Sequence, residues 1–216
     1  MNKHSSLDIG TLPYWIDSAL FPTFAKIDRD VDVDVVVVGG GITGLTTAYL
    51  LTSAGKSVAL IERGRCAEID TAHTTAHLTM VTDTRLNELV GRFGRSHAQA
   101  VWDAGRAAID QIERIVDEHA IDCSFEGVEG YLHAPAGEPD AEQVDSLKED
   151  ANFARELGFR AEFVDDVPLM GGPGVRFADQ ARFHRANISR AWRARSARRA
   201  ERSSSTALRT SFWPTR

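Results

Sequence analysis

Residues 35–51 read VVVVGGGITGLTTAYLL, an apolar β-branched run that breaks into glycines and continues with helical spacing. This order predicts a buried strand, a tight turn and a helix. Within it, Gly39, Gly41 and Gly44 form the pattern G-x-G-x-x-G. The first glycine permits the turn, the second lets a pyrophosphate approach the backbone, and the third lets the helix pack closely on the strand. The N–H groups at the start of the helix are suited to hold phosphates.

The residues that follow complete a β-α-β unit. Gly55 predicts the end of the helix, and residues 57–61 predict a second strand that ends at Glu62. A carboxylate about 20 residues after the glycines is expected to accept hydrogen bonds from ribose hydroxyls and to repel the 2′-phosphate of NADP. The alternative is a glycine-rich turn that binds nothing. The combination of turn, helix, Gly55 and Glu62 disfavours that alternative.

Composition narrows the class of protein. The chain has 216 residues, 43% of them hydrophobic, and a formal net charge of −6, which disfavours nucleic acid and anionic membranes as partners. Two cysteines, Cys66 and Cys123, are too few for a disulfide framework and predict reduced thiols in a cytoplasmic protein. No apolar run reaches the roughly 18 residues of a membrane span, and residues 1–6 lack the apolar core of a signal peptide.

The hydroxyl-rich run TAHTTAHLT over residues 71–79 follows the β-α-β unit. On a helix, His73 and His77 would share a face and could ligate a metal, but no third ligand stands nearby at a plausible spacing. The sequence therefore predicts no metal site. The hydroxyls and imidazoles are better explained as donors to a large anionic ligand lying on the first β-α-β unit.

The remaining pattern predicts two helices and then a second sheet. Helices are expected over residues 83–90, capped by Asp83, and over residues 96–119. The apolar stripe expected to face the core along the second helix comprises Val101, Ala108, Ile112 and Ile115.

Residues 121–125 and 130–134 predict two short strands across a turn. Asp140 and Gln143 predict a capping box at the start of a helix that ends before Gly158, and residues 160–164 predict a further strand.

With these elements in place, the sequence resembles the FAD-dependent oxidoreductases related to D-amino-acid oxidase, glycine oxidase and sarcosine oxidase, over residues 12–184. The resemblance is carried by the G-x-G-x-x-G pattern together with Ala48, Gly55 and Glu62. The segments PYW at 13–15 and HTTAHLT at 73–79 resemble the branch containing gamma-glutamylputrescine oxidases and oxidases fused to a Rieske iron-sulfur domain.

The resemblance implies a small amine or amino acid as substrate, oxidised at the C–N bond by hydride transfer to flavin. Some relatives bind flavin covalently through a histidine whose place is taken here by Thr74, which implies noncovalent FAD. The implied cofactor contacts are Gly39, Gly41, Thr43 and Gly44 at the pyrophosphate, Glu62 and Arg63 at the adenosine, and Thr74 and Thr75 near the phosphates and ribityl chain.

The order of the predicted elements indicates an α/β fold, in which a Rossmann-like dinucleotide-binding domain enters a second sheet. The resemblance implies that the FAD-binding domain is incomplete and that the substrate-binding sheet is truncated. The predicted divisions are an N-terminal arm at 1–30, the FAD-binding domain at 31–120, the start of the substrate sheet at 121–184, and a basic tail at 185–216.

The tail is rich in arginine and serine and keeps no helical or strand period. Because the resemblance stops at His184, with Arg185 where relatives usually have proline, the tail is expected to be frameshifted and disordered. A basic tail for nucleic acid and a solvated tail are the alternatives. Members of the family are considerably longer and supply substrate-binding residues late in the chain, so catalytic residues are not identified and impaired or absent activity is expected. The competing hypotheses are a noncatalytic remnant without cofactor and an NAD-dependent Rossmann reductase.

Overall fold

The computed structural model describes residues 30–67, 70–135 and 139–183. These residues divide into two compact units, with the boundary between Thr75 and Ala76. Unit 1 comprises the described residues up to Thr75, and unit 2 comprises those from Ala76 to Phe183. The predicted arm before Asp30 and the predicted frameshifted tail lie outside the described residues.

Unit 1 contains the predicted β-α-β arrangement. Strand β1 (Val35–Val38) and strand β2 (Val58–Ile61) pair in parallel, with helix α1 (Ile42–Ser53) between them in the chain. A short helix, α2 (Asp70–His73), follows β2. The β-branched run forms the strand because its side chains pack on a pleated, partly buried surface. A small core of Ala48, Val58, Leu60 and Cys66 holds the helix against the strands.

Helix α1 ends where the sequence predicts. Gly55 adopts a left-handed φ of +84°, which glycine tolerates without steric cost. Its N–H donates to the carbonyl of Thr52 at 3.1 Å, and the N–H of Lys56 donates to the carbonyl of Leu51 at 3.0 Å. These bonds satisfy two of the carbonyls that a helix end leaves open.

Unit 2 is built on an antiparallel sheet centred on its longest strand. The strands are β3 (His77–Leu78), β4 (Glu126–His133), β5 (Ala161–Val164) and β6 (Gly174–Arg182). Strand β4 pairs with one edge of β6 along most of its length. The other edge pairs with β5 near Gly174 and with β3 near Arg182. Between the pairs Val128–Gln180 and Gly130–Phe177, one residue of β4 opposes two residues of β6, so β6 carries a bulge, where Asp179 has a φ of +63°.

Three helices pack with this sheet around one core. They are α3 (Leu86–Phe93), α4 (Arg95–Glu118) and α5 (Ala141–Glu156). Trp102 of α4, 1% exposed, lies edge-on to Phe159 and Phe177 at centroid distances of 5.2 and 5.6 Å. The predicted capping box is confirmed, since Gln143 N–H donates to the Asp140 carboxylate at 2.8 Å and Asp140 N–H donates to the Gln143 side chain at 3.2 Å.

The predicted strand over 121–125 is wrong. Ala120 and Ser124 have φ angles of +47° and +49°, and the Cys123 N–H donates to the Ile121 carbonyl at 2.9 Å, which is a turn rather than a strand. Residues 126–129, predicted as the turn, instead begin β4. Their cross-strand partners on β6 hold them in the sheet, which local composition does not reveal.

The predicted face of the second helix is right only in part, since Ile112 and Ile115 are partly buried. Val101 is 44% exposed and Ala108 is exposed. The buried positions of α4 are Ala98, Trp102, Ile109 and Val116. The helical period of the sequence predicts that α4 is a helix, but the sheet and helices that pack against α4 determine which of its faces is buried.

Helix α3 begins later than predicted, at Leu86 rather than after Asp83. Its first turn is capped from α5, because Asn87 N–H donates to the Asp150 carboxylate at 3.4 Å. Helices α3 and α4 belong to unit 2, whereas the predicted domain boundary lies at residue 120. That domain division stays a prediction.

Candidate functional site

The turn after β1 needs glycine at Gly39 because of its backbone conformation. Gly39 has a φ of +104°, a region that L-residues with a Cβ rarely adopt. Its N–H donates to the carbonyl of Ile61 at 2.8 Å, which continues the pairing of β1 with β2. The chain can therefore turn sharply into α1 directly after the strand.

Gly44 is needed for packing. A Cβ at this position would lie 1.9 Å from the carbonyl oxygen of Gly39, far inside van der Waals contact. Any side chain would push helix α1 away from the turn. Gly44 therefore permits the close approach of the helix to the end of β1.

Gly41 has neither of these internal requirements. Its φ is −75°, and a Cβ would meet only the Thr71 hydroxyl oxygen, at an ordinary contact distance of 3.7 Å. The fold itself has room for a small side chain at this position. A ligand that approaches the backbone is thus the physical reason for a glycine here.

Gly40 is required by packing that the sequence analysis did not detect. A Cβ there would lie 2.7 Å from the Cys66 sulfur and 3.0 Å from Glu62 Cβ. Cys66 and Cys123 are both free and buried. Burial, and secondly the nearby Glu62 carboxylate, raise the pKa of the Cys66 thiol to about 11, so the thiol is protonated at neutral pH.

The start of helix α1 presents open hydrogen-bond donors. Within the part of the chain that the structure describes, the backbone N–H groups of Gly41, Thr43 and Gly44 have no acceptor. The Ile42 N–H donates to the Thr71 hydroxyl at 3.2 Å. No acidic residue stands in the first turn to compensate the partial positive charge of the helix end. This terminus is suited to an anion such as a phosphate.

Glu62, at the end of β2, is hydrogen-bonded to the same turn. Its carboxylate accepts the Gly40 N–H at 2.6 Å and the Gly64 N–H at 2.7 Å. Burial raises the pKa of Glu62, but the N–H groups of Gly64, Gly40 and Arg63 and the charge of Arg63 outweigh it, so the pKa lies below its ordinary value. The side chain is ionised at neutral pH, and each oxygen retains a lone pair for a further donor.

The segment after β2 folds back onto the glycine turn. The Ala67 N–H donates to the Gly40 carbonyl at 2.8 Å, and Thr71 of α2 contacts the start of α1. The sequence analysis did not assign Thr71 to the site, although the hydroxyl-rich run that begins there was its signal. Arg63, Thr74 and Thr75 are exposed, and their contacts to FAD stay predictions.

These features fit the pyrophosphate and the ribose of an ADP moiety. The open N–H groups and the bare Gly41 backbone suit a pyrophosphate, and the ionised Glu62 suits the paired hydroxyls of a ribose. The structure brings Glu62 and the glycine turn together, as the spacing predicts. The chemistry of the donor set therefore fits the adenosine diphosphate part of FAD.

Unit 2 contains a cavity of about 590 Å³ between the start of α3, Trp102 and strand β4. Asp150, 1% exposed, lies against it and accepts from Arg85 Nε at 2.6 Å; Arg85 Nη2 approaches the same oxygen at 2.5 Å without hydrogen-bond geometry. Gln180 accepts from the Met80 N–H at 3.1 Å. The polar groups around this cavity thus bind mainly to the protein itself.

The opposite face of the sheet carries exposed charges that pair with one another. Arg176 donates to Glu129 at 3.0 Å and to Glu162 at 2.5 Å. Tyr131 donates to Glu129 at 2.8 Å, a bond that raises the pKa of the phenol. Ion pairs of this kind on a solvated surface contribute little to stability. No residue of this face is assigned a catalytic role.

The described residues form neither a metal centre nor a membrane-spanning helix. No group of three or more His, Cys, Asp or Glu side chains is placed to hold a metal ion there. None of the helices in the same residues has the length and apolar character needed to cross a membrane.

Comparisons with known proteins agree with this geometry. The chain is 38% identical over 173 residues to the "Putative Rieske 2Fe-2S iron-sulfur protein YhfW" of Bacillus subtilis (strain 168), an alignment covering 79% of this chain and 33% of that protein. The chain therefore spans about a third of the length of this relative. The predicted resemblance to the Rieske-fused branch is confirmed.

Solved structures confirm the fold class. The L-amino acid deaminase of Proteus myxofaciens, in complex with anthranilate, has a TM-score of 0.62 and 16% identity, with 89% of this chain and 41% of that chain covered. The glycine oxidase of Geobacillus kaustophilus has a TM-score of 0.58 and 16% identity, with 82% and 46% covered. At these identities the likeness concerns the fold.

The family described as FAD dependent oxidoreductase (DAO) matches residues 34–202. This match includes both described units and runs past His184, where the resemblance was expected to stop. It covers the glycine turn, Glu62 and the sheet of unit 2. The chain belongs to the family of FAD-dependent oxidoreductases related to D-amino-acid oxidase.

Proposed function

We propose that this chain binds FAD noncovalently at the glycine turn and serves an oxidoreductase that acts on a small-molecule amine or amino acid. One observation carries the proposal: the start of α1 presents open N–H groups beside Gly41, whose lack of a side chain the fold itself does not require. Family membership supports FAD over NAD as the dinucleotide. The names of the deaminase and the glycine oxidase support an amino acid or amine as substrate.

In this proposal the main chain holds the pyrophosphate. The N–H groups of Gly41, Thr43 and Gly44 donate to phosphate oxygens, and Gly39 provides the turn that aims them. This arrangement neutralises phosphate charge with helix dipoles rather than with basic side chains.

The adenosine end is held by charge-assisted hydrogen bonds. Glu62, kept ionised by its main-chain donors, accepts from the ribose hydroxyls, and Arg63 lies beside it. Thr74 and Thr75 are proposed to lie near the phosphates and the ribityl chain. Bound FAD would supply the hydride acceptor for oxidation of a C–H bond next to the substrate nitrogen.

Titration of the purified full chain with FAD tests this proposal. We expect Gly41→Val to abolish FAD binding, because its side chain occupies the space that the pyrophosphate needs while its extended backbone accepts valine. Gly91→Val is the matched control, since Gly91 also has open space around it but lies in α3 of unit 2. Equal FAD content in the Gly41 variant and the parent chain would contradict the placement of the cofactor.

A second variant tests the adenosine end. Glu62→Ala should weaken FAD binding by about one to two powers of ten, as loss of hydrogen bonds to a charged group does. NAD serves as the competing ligand in the same titration. Preferential binding of NAD, or an unchanged FAD dissociation constant in the variant, would contradict the proposed recognition.

A further inference from the structure

The cavity of unit 2 has no part in the proposed function. Its volume of about 590 Å³ lies within the range of pockets that hold small organic molecules, roughly 300–1,000 Å³. All of its lining residues lie between His77 and Gln180, within unit 2. The cavity is therefore formed without any residue of the glycine turn.

The surface of the cavity is largely apolar. Its floor consists of side chains that are each 1% exposed, namely Leu86, Trp102 and Phe177. Its walls include partly buried side chains, namely Val81, Val128 and Leu132. Covering such surfaces removes apolar area from water, which is favourable in proportion to that area. The cavity thus suits the apolar part of a ligand.

Positive charge beside the cavity is already compensated. Arg85 Nε donates to the Asp150 carboxylate at 2.6 Å, and the Asn87 N–H at the start of α3 donates to the other oxygen of Asp150 at 3.4 Å. Asp150 therefore neutralises the guanidinium and offsets the partial positive charge of the helix end. An anionic ligand would gain little from these groups.

Negative charge beside the cavity is in excess. Three carboxylates and one guanidinium line it, a formal charge of −2: Asp83, Glu129 and Asp150 against Arg85. Glu129 is paired with Arg176 at 3.0 Å, whereas Asp83 has no ion pair or hydrogen bond with the described residues. Asp83 is exposed, which places it at the mouth. A charge beside low-dielectric walls attracts ions of opposite sign into the cavity.

We propose that the cavity of unit 2 is a binding site for an organic cation, whose apolar group fills the cavity and whose charged nitrogen lies at the mouth near Asp83. The apolar surface provides the affinity, and the uncompensated carboxylate provides the preference for positive charge. This inference goes beyond the proposed function, because the site lies within unit 2, requires no FAD and has no assigned part in hydride transfer.

Three probes that share a phenyl group and differ in charge test the site in the full chain by calorimetry. They are phenethylamine, neutral 2-phenylethanol and anionic 3-phenylpropionate. We expect phenethylamine to bind roughly 3- to 5-fold more tightly than the alcohol, as exposed charge pairs allow, and 3-phenylpropionate to bind least. Equal affinities of the amine and the alcohol would overturn the inference.

Two variants separate the charge from the cavity. Asp83→Asn should reduce the affinity for the amine to that for the alcohol and leave the alcohol unchanged. Val128→Phe should weaken both probes, because the larger ring occupies the cavity. Asp166→Asn is the matched control, since Asp166 is also an exposed carboxylate but does not line the cavity. An unchanged preference for the amine in Asp83→Asn would contradict the proposed role of the carboxylate.

Methyl NMR signals of the parent chain locate the bound amine. The signals of Val128 and Leu132 should shift as phenethylamine is added, whereas those of Val58 in unit 1 should not. Binding without shifts at the cavity, or no binding of any probe, would overturn the inference. FAD titration of the same preparation keeps the two proposals apart. A chain that binds the amine at the cavity but not FAD would contradict the proposed function and support this site.

Discussion

The glycine turn of unit 1 leaves backbone donors open, whereas the buried side chains of Asp150 and Gln180 in unit 2 are hydrogen-bonded within the protein. In unit 1, the N–H groups of Thr43 and Gly44 have no acceptor among the described residues, and Val38 of β1 is 81% exposed. In unit 2, Asp150 and Gln180 are 1% and 3% exposed, and both are hydrogen-bonded.

This difference separates residues placed for a ligand from residues placed for stability. An open donor at a helix end costs little while it is hydrated and becomes useful when an anion binds. A buried carboxylate without a partner would instead destabilise the fold by several kcal/mol. We therefore expect substitutions in the core of unit 2 to affect unfolding, and substitutions at Gly41, which the fold does not require, to affect cofactor binding.

The largest effect is expected at the centre of unit 2. Trp102→Ala should lower the free energy of unfolding by about 3–5 kcal/mol, because it empties a large volume between Phe159 and Phe177. Urea unfolding measures this. The control is the neighbouring Val101→Ala, which changes an exposed side chain and should cost less than about 0.5 kcal/mol. Equal losses of unfolding free energy in the two variants would contradict the assignment of the Trp102 face of α4 to the core.

The buried ion pair is the next test. Asp150→Ala should lower the free energy of unfolding by about 3 kcal/mol, because it leaves Arg85 without its counterion and the Asn87 N–H without its acceptor. This loss is at the lower end of the range for buried ion pairs because the Arg85 side chain is 30% exposed. Combining Arg85→Met with Asp150→Leu should recover most of the loss. A double variant as unstable as the single one would show that charge pairing is not the cause.

FAD should stabilise the two units unequally. At a concentration 100 times its dissociation constant, a ligand that binds only the folded state raises the free energy of unfolding by about 2.7 kcal/mol. Hydrogen exchange should slow most at the amides of β1, α1 and β2. Equal slowing of exchange along β4 would show that both units open together, which would contradict the expected difference between them.

The glycines of the turn can be separated by the same measurements. Gly44→Ala should lower the free energy of unfolding of unit 1 by about 2 kcal/mol, because the added methyl group meets the Gly39 carbonyl oxygen. Gly41→Ala should leave unfolding nearly unchanged and weaken FAD binding. If Gly41→Ala destabilises the chain as much as Gly44→Ala does, the fold rather than a ligand requires that glycine.

The smallest effect concerns pH. Because the pKa of Glu62 is lowered in the folded state, its stabilisation is complete above the ordinary glutamate pKa, roughly 4, and is lost as the pH falls through the lowered value. Glu62→Gln should lower the free energy of unfolding by about 1 kcal/mol at neutral pH, allowing for solvent screening. Urea unfolding of parent and variant should converge at low pH. A difference that persists there would indicate lost packing rather than lost charge.

Much of unit 1 could be predicted from sequence because its signals are local. The β-branched run, the glycine spacing, Gly55 and Glu62 each predict an element or a contact within one β-α-β unit. The prediction of the site from sequence is less complete, since it does not include Thr71. The hydroxyl of Thr71 becomes relevant only when the segment after β2 folds back onto the turn.

Unit 2 was predicted less well because its contacts are distant in the chain. The capping box at Asp140 is local and was predicted correctly. Strand β6, the longest strand described, had no predicted counterpart, and the start of β4 was assigned to a turn. Both depend on partners across the sheet, and a sequence pattern does not reveal which strands will pair.

Local residue types predict the β-α-β order, the glycine turn and the helix ends, because a backbone conformation or a contact a few residues away depends on them. The contact of Thr71 with α1, the cap that Asp150 gives α3 and the place of Trp102 in the core of unit 2 are set by the folded chain. Those contacts join segments far apart in the chain. They follow from which surfaces meet when apolar area is buried, and that choice is made by the fold as a whole.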